Sequence, residues 1–187
     1  MKSNLHRWKG FALGMLGGVA GLLAMRSYWQ KVAPALEEQA SQQDTRNEGE
    51  QATQPLEDIS IFGKQYREEE SSTAALGRII YQSITGQEPE TQETKTMLSY
   101  LVHWAYGILQ GGVYGALQSG AGWPDLKGGL LFGTALWLYG DEAIVPLLGL
   151  QSGPTAVSPI QHANRLGAHL AYGAATALAT QTLRRII

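Results

Sequence analysis

Between Lys95 and Asp125 the chain carries no Asp, Glu, Lys or Arg. A helix needs about 20 mainly apolar residues to cross a bilayer, and this run accommodates one span at about 97–118. A second uncharged stretch, Gly10 to Met25, is bracketed by Trp8 on one side and Tyr28 and Trp29 on the other, aromatic residues suited to both membrane interfaces. Further spans fit at about 128–150, interrupted only by Asp141 and Glu142, and between Arg165 and Arg184. The sequence therefore predicts an all-α integral membrane bundle of about four transmembrane helices, three of them in a C-terminal core over 96–187. A soluble bundle would need polar faces that these segments lack.

The averages hide this. The 187 residues have a mean hydropathy of −0.14 and a net charge of −2, values of an ordinary soluble domain. The charges are unevenly placed: residues 36–95 hold 18 of them, for a local net of −8, and the rest of the chain nets +6. No Lys/Arg cluster is present, so nothing points to nucleic acid. The absence of cysteine excludes disulfides, thiolate nucleophiles and Cys-based metal centres. The bilayer is the expected partner.

Residues 1–35 read as a membrane anchor. Lys2, Arg7 and Lys9 followed by an apolar run, with Ala33-Pro34-Ala35 downstream, also match a secretory signal peptide. The cleavage-like site lies well past the apolar run, with Arg26 and Lys31 between, which favours an uncleaved anchor. Residues 36–95 form an acidic extramembrane loop, too poor in large apolar groups over 36–70 to offset their ordering entropy. Within it, Leu76, Ile79, Ile80 and Ile84 share one helical face, Ser71 or Ser72 can cap the start and Gly86 the end, predicting an amphipathic helix over 71–86. Turns are expected at 119–125 and 151–161. Counting basic residues near span ends places Lys2, Arg7, Lys9, Lys127, Arg184 and Arg185 in the cytoplasm, with both termini; Arg26 and Lys31 oppose the count.

Small residues recur at four-residue spacing: Gly14/Gly18, Gly17/Gly21, Gly107/Gly111/Gly115, Gly129/Gly133, Ala171/Ala175 and Gly173/Ala177. Membrane helices associate through such close-approach stripes, either within one chain or between copies of it or with another membrane protein.

His103, Asp141, Glu142 and His169 fall inside the expected spans. Burying a charge at mid-bilayer costs about 2.5–3.5 kcal/mol or more, so these groups should face protein or water. At about 1.5 Å per residue, His103, Glu142 and His169 lie roughly 9–12 Å below the outer boundary. Arg165 shares a helical stripe with His162 and His169 and can answer a carboxylate. Three readings fit such a layer: a polar lock between helices, a proton or ion path, and a metal site using His103, Glu142 and His169. No nucleophile–base signature, phosphate loop or dinucleotide fingerprint is present, and no cofactor is expected.

Several stretches carry a likeness to a known family: Val102-His103, Lys127-Gly128-Gly129-Leu130-Leu131-Phe132-Gly133, Val145-Pro146-Leu147-Leu148-Gly149-Leu150, Ala168-His169-Leu170 and the Arg184-Arg185 end. In these the last 90 residues resemble the YagU family of small bacterial inner-membrane proteins. The family pattern can place His where this chain has Glu142, and has no clear counterpart of Asp141. The resemblance implies a multi-pass location in the bacterial inner membrane and no particular reaction. The expected role is a structural or small-solute/ion-handling membrane component; alternatives are an intramembrane metal-dependent enzyme and an assembly factor acting through residues 36–95.

Overall fold

A computed structural model describes residues 2–44, 56, 58–118 and 126–187. Among them the chain is all-α, with no strand. Its helices are α1 (Lys2–Lys31), α2 (Ala33–Asp44), α3 (Ser72–Thr85), α4 (Gln92–Gln118), α5 (Leu126–Ala135), a π-helical stretch Leu136–Ile144, the single turn α6 (Val145–Leu147), a 3-10 turn Pro154–Ala156 and α7 (Pro159–Ile186). The expected turn at 119–125 and the middle of the expected linker, 45–55 and 57, lie outside the described residues. Among the described residues two helical stretches are long and apolar enough to cross a membrane, His6–Glu38 and Leu126–Leu147.

Three elements differ from expectation. The linker does not begin at residue 36, because α2 continues to Asp44. Helix α4 starts at Gln92, before the apolar run, since the Thr91 hydroxyl accepts the Thr94 N–H at 3.1 Å and caps it. The third apolar stretch is not one α-helix but passes into π-helix at Leu136. Helix α3 matches its predicted bounds, capped by Ser71 and ended by Gly86 at φ 70°. Its packed residues are Ala75, Gly77 and Arg78, while Ile80 and Ile84 of the apolar face stay exposed.

The chain divides into two units. The first comprises Met1–Glu50, Gly107–Trp137 and Ser158–Ile187, the second Gln51–Tyr106 and Leu138–Val157. In the first, α1 runs antiparallel to the end of α4: Gly10, Gly14 and Gly18 meet Gly115, Gly111 and Gly107 in reverse order. A Cβ on Gly111 would lie 2.5 Å from Gly18 Cα, and one on Gly115 would lie 2.7 Å from Gly14 Cα. On another face, Gly17 and Gly21 abut Thr180 and Thr176 of α7, so these two helices are also antiparallel. Helix α5 runs against α7 the same way, Gly129 meeting Gly173 and Ala177, and Gly133 meeting the His169 backbone.

These directions gather the starts of α1 and α5 and the ends of α4 and α7 at one end of the unit. There Arg184 donates from Nη2 to the Gly115 carbonyl at 2.7 Å and from Nη1 to that of Gln118 at 3.4 Å. A cation on the last carbonyls of a helix complements its dipole. Lys9 Nζ similarly donates to the Ile187 carbonyl at 3.1 Å.

Gly111→Ala is expected to cost about 1–3 kcal/mol through overpacking. Gly140→Ala, whose Cβ would meet only Tyr106 Oη at 3.7 Å, should leave stability nearly unchanged. Thermal unfolding of the two purified variants measures the difference.

Candidate functional site

The sequence-predicted polar residues divide between the units: Arg165 and His169 belong to the first, His103, Asp141 and Glu142 to the second. On α7, His169 Nδ1 lies 2.9 Å from the Arg165 carbonyl one turn earlier. The Trp137 ring meets His162 edge-on, with centroids 6.5 Å apart. Among the described residues no group of three or more His, Asp or Glu is placed to hold a metal ion.

Asp141 takes part through its backbone. In a π-helix each N–H bonds the carbonyl five residues back, and the residue five past Asp141 is Pro146, which has no N–H. Gln151 supplies the missing donor: its Nε2 bonds the Asp141 carbonyl at 2.5 Å. Gly149, at φ 72°, turns the chain just before Gln151, and its N–H bonds the Pro146 carbonyl at 2.9 Å.

The first unit holds polar residues that sequence reasoning passed over. Asn164 is fully buried; its Oδ1 accepts from Tyr28 Oη at 3.4 Å and its Nδ2 donates to Glu37 Oε1 at 3.1 Å. Asn164 sits inside the His162/Arg165/His169 stretch, but attention to ionisable groups alone hides it, and its partners are more than 120 residues away in sequence. Tyr172 Oη donates to the Gly107 carbonyl at 2.5 Å. Thr176 and Thr180 are fully buried, their hydroxyls without a hydrogen-bond partner and set against Gly21 and Gly17.

The second unit carries a cleft of about 590 Å³ beside α3 and α4. It is made by an approach at Gly77, where a Cβ would lie 3.0 Å from Leu98 Cβ, and by a Thr73–Ser99 hydroxyl bond of 2.8 Å. The segment before α3 is fastened at two places. The Gln65 and Tyr66 N–H groups donate to the Gly149 carbonyl at 2.8 and 3.1 Å. Arg78, only 8% exposed, grips Glu70 with Nε and Nη2, both at 2.9 Å, and Nη2 also reaches the Gln65 carbonyl at 2.6 Å. Glu68, Glu69, Lys95, Ser99, Tyr100 and His103 face the cleft, so His103 is the one predicted polar-layer residue on its wall. Glu69 holds a left-handed φ of 60°, a backbone cost of about 1–2 kcal/mol for a non-glycine residue.

Comparison with protein-family models, curated proteins and solved structures returns no match.

The Arg78 guanidinium, followed by the Arg67 N–H, holds the Glu70 carboxyl below the usual carboxylate range. A carboxyl depressed on folding stabilises above its unfolded pKa of about 4.3, and that contribution is lost as pH falls through the lower folded value. Glu70→Gln should therefore lower stability by about 1.5–3 kcal/mol at neutral pH and flatten the acid limb of a pH–stability profile measured by chemical unfolding. Gln151→Leu, which leaves the Asp141 carbonyl without its donor, should cost about 1–3 kcal/mol in the same assay.

Proposed function

We propose that this chain is a multi-pass membrane protein of the bacterial inner membrane, acting as a structural, non-enzymatic component. The distribution of side chains in the first unit carries the reading. Large apolar residues at mid-helix face outward: Leu16, Leu23, Leu109, Val113, Leu131 and Leu178 are all exposed. Inside, beside Leu13, Leu22, Met25, Tyr114 and Tyr172, lie glycines, Ala168, Ala177, Asn164, Thr176 and Thr180. Water would penalise that outer surface by about 25 cal/mol per Å², and hydrocarbon does not. Lipid conversely gives helices no hydrophobic reason to associate, so small residues that admit backbone contact supply the packing.

On this reading α4 and α7 also span. Helix α7 falls short in hydropathy because its polar groups face other helices: Asn164 holds Tyr28 and Glu37, and Tyr172 holds Gly107. Polar atoms engaged in this way favour a structural role over conduction. The four-residue glycine spacing is then a membrane packing device, and the YagU-like stretches suit the same location. Arg7, Lys9, Lys127, Arg184 and Arg185 collect at one end of the unit through the antiparallel helix directions, which supports a cytoplasmic assignment for that end and for both termini.

The chain's lack of cysteine makes single-thiol labelling a direct test. In intact cells a membrane-impermeant maleimide should label Ser83→Cys, and should reach Ile187→Cys only after lysis. The reverse pattern would invert the topology, and recovery of the protein in the alkaline carbonate supernatant would overturn the membrane reading itself.

A further inference from the structure

The α3–α4 cleft of the second unit has a charge pattern that the structural role does not use. Two of its ionic groups are satisfied internally, Glu70 by Arg78 and Arg67 by Glu88. Glu68, Glu69 and Lys95 also line it, and none of the three has an ion-pair partner among the described residues. Two carboxylates and one ammonium of opposite sign thus border one cavity of about 590 Å³, a size typical of small-molecule sites. Their placement is rigid at one side, because Glu68 and Glu69 sit between the Gln65 and Glu70 anchors that Arg78 grips. Glu69 is held in its left-handed conformation, and backbone strain of this kind gathers at ligand clamps.

The cleft also has an apolar continuation. A second hollow on the same helix shares Gln92, Thr96 and Tyr100 with it and adds Glu93 and Met97. Met97, Tyr100 and the next residue, Leu101, are all more than half exposed. An occupant matched to both parts has a positive and a negative group at one end and an apolar chain at the other.

We propose that this cleft binds the headgroup of a zwitterionic, primary-amine phospholipid of the phosphatidylethanolamine class, with an acyl chain along Met97 and Leu101. The lipid ammonium meets Glu68 and Glu69, and the phosphate meets Lys95. A primary ammonium carries N–H donors that two carboxylates can accept; a quaternary ammonium has none, so phosphatidylcholine fits less well. A purely anionic headgroup leaves the two carboxylates facing like charge. This assignment rests on the membrane reading, since it takes its ligand from the bilayer.

The test is calorimetric titration of the full chain in detergent with short-chain dihexanoyl phosphatidylethanolamine. The expected result is saturable one-to-one binding, weakened about tenfold or more, a loss of about 1.4 kcal/mol, by Glu68→Gln with Glu69→Gln and also by Lys95→Met. Circular dichroism verifies that the variants keep their helix content; all three side chains lie at the cleft surface, and Glu70→Gln is avoided because it loosens the fold. Equal binding of dihexanoyl phosphatidylcholine or phosphatidylglycerol, or unchanged affinity in the variants, would overturn the proposal. Equally tight binding of free phosphoethanolamine would overturn the lipid assignment. Carbonate extraction of the same protein separates the two readings. Membrane-retained protein that fails to bind defeats the headgroup site alone; carbonate-soluble protein defeats the membrane reading on which it rests.

Discussion

Helix α1 offers glycines to two partners on two faces, Gly14 and Gly18 to α4 and Gly17 and Gly21 to α7. Each contact brings backbone to within van der Waals reach of a neighbouring backbone or threonine hydroxyl, leaving no room for a methyl group. Packing of this closeness makes dispersion contacts dense and admits weak Cα–H···O contacts. It also aligns Tyr172 with the Gly107 carbonyl and Arg184 with the carbonyls at the end of α4. The interior of the first unit can therefore be small and partly polar, and its large apolar side chains can point outward.

The two units use polar groups differently. In the first, long-range pairs join helices far apart in sequence, as Asn164 joins Tyr28 and Glu37. In the second, side chains repair local backbone needs. Gln151 replaces the donor that Pro146 lacks, and Arg78 gathers the segment before α3 through Glu70 and Gln65. A carbonyl freed in a π-helix is costly in an apolar setting, so the chain can carry the Gly140-Asp141-Glu142 stretch only with such a partner nearby.

Much of the helical plan was legible because its signals are local. Ser71 and Gly86 bound α3 through their own cap geometry. The continuation of α2 to Asp44 was hidden, since its Glu- and Gln-rich composition reads as linker while glutamate and glutamine are also good helix formers. The π-helix was hidden because a partner of its backbone is a side chain, Gln151, ten residues beyond the carbonyl it serves. Of the candidate polar layer, sequence position supplied depth along each helix but not the partner of any group. The Asp141 carbonyl accepts from Gln151, His169 Nδ1 lies beside the Arg165 carbonyl, and His103 shares a cleft lining with Glu68 and Glu69 from the turn before α3.

In the proposed membrane setting the outer surface of the first unit faces hydrocarbon, and its interior excludes both water and lipid. Nitroxide labels at single cysteines, with collision rates to oxygen and to a water-soluble nickel chelate in reconstituted bilayers, measure this directly. High oxygen and low nickel accessibility are expected at Leu16→Cys, Leu23→Cys, Val113→Cys and Leu178→Cys, with neither reagent reaching Thr176→Cys. High nickel accessibility at the four leucine and valine positions would show that they face water and would contradict that setting.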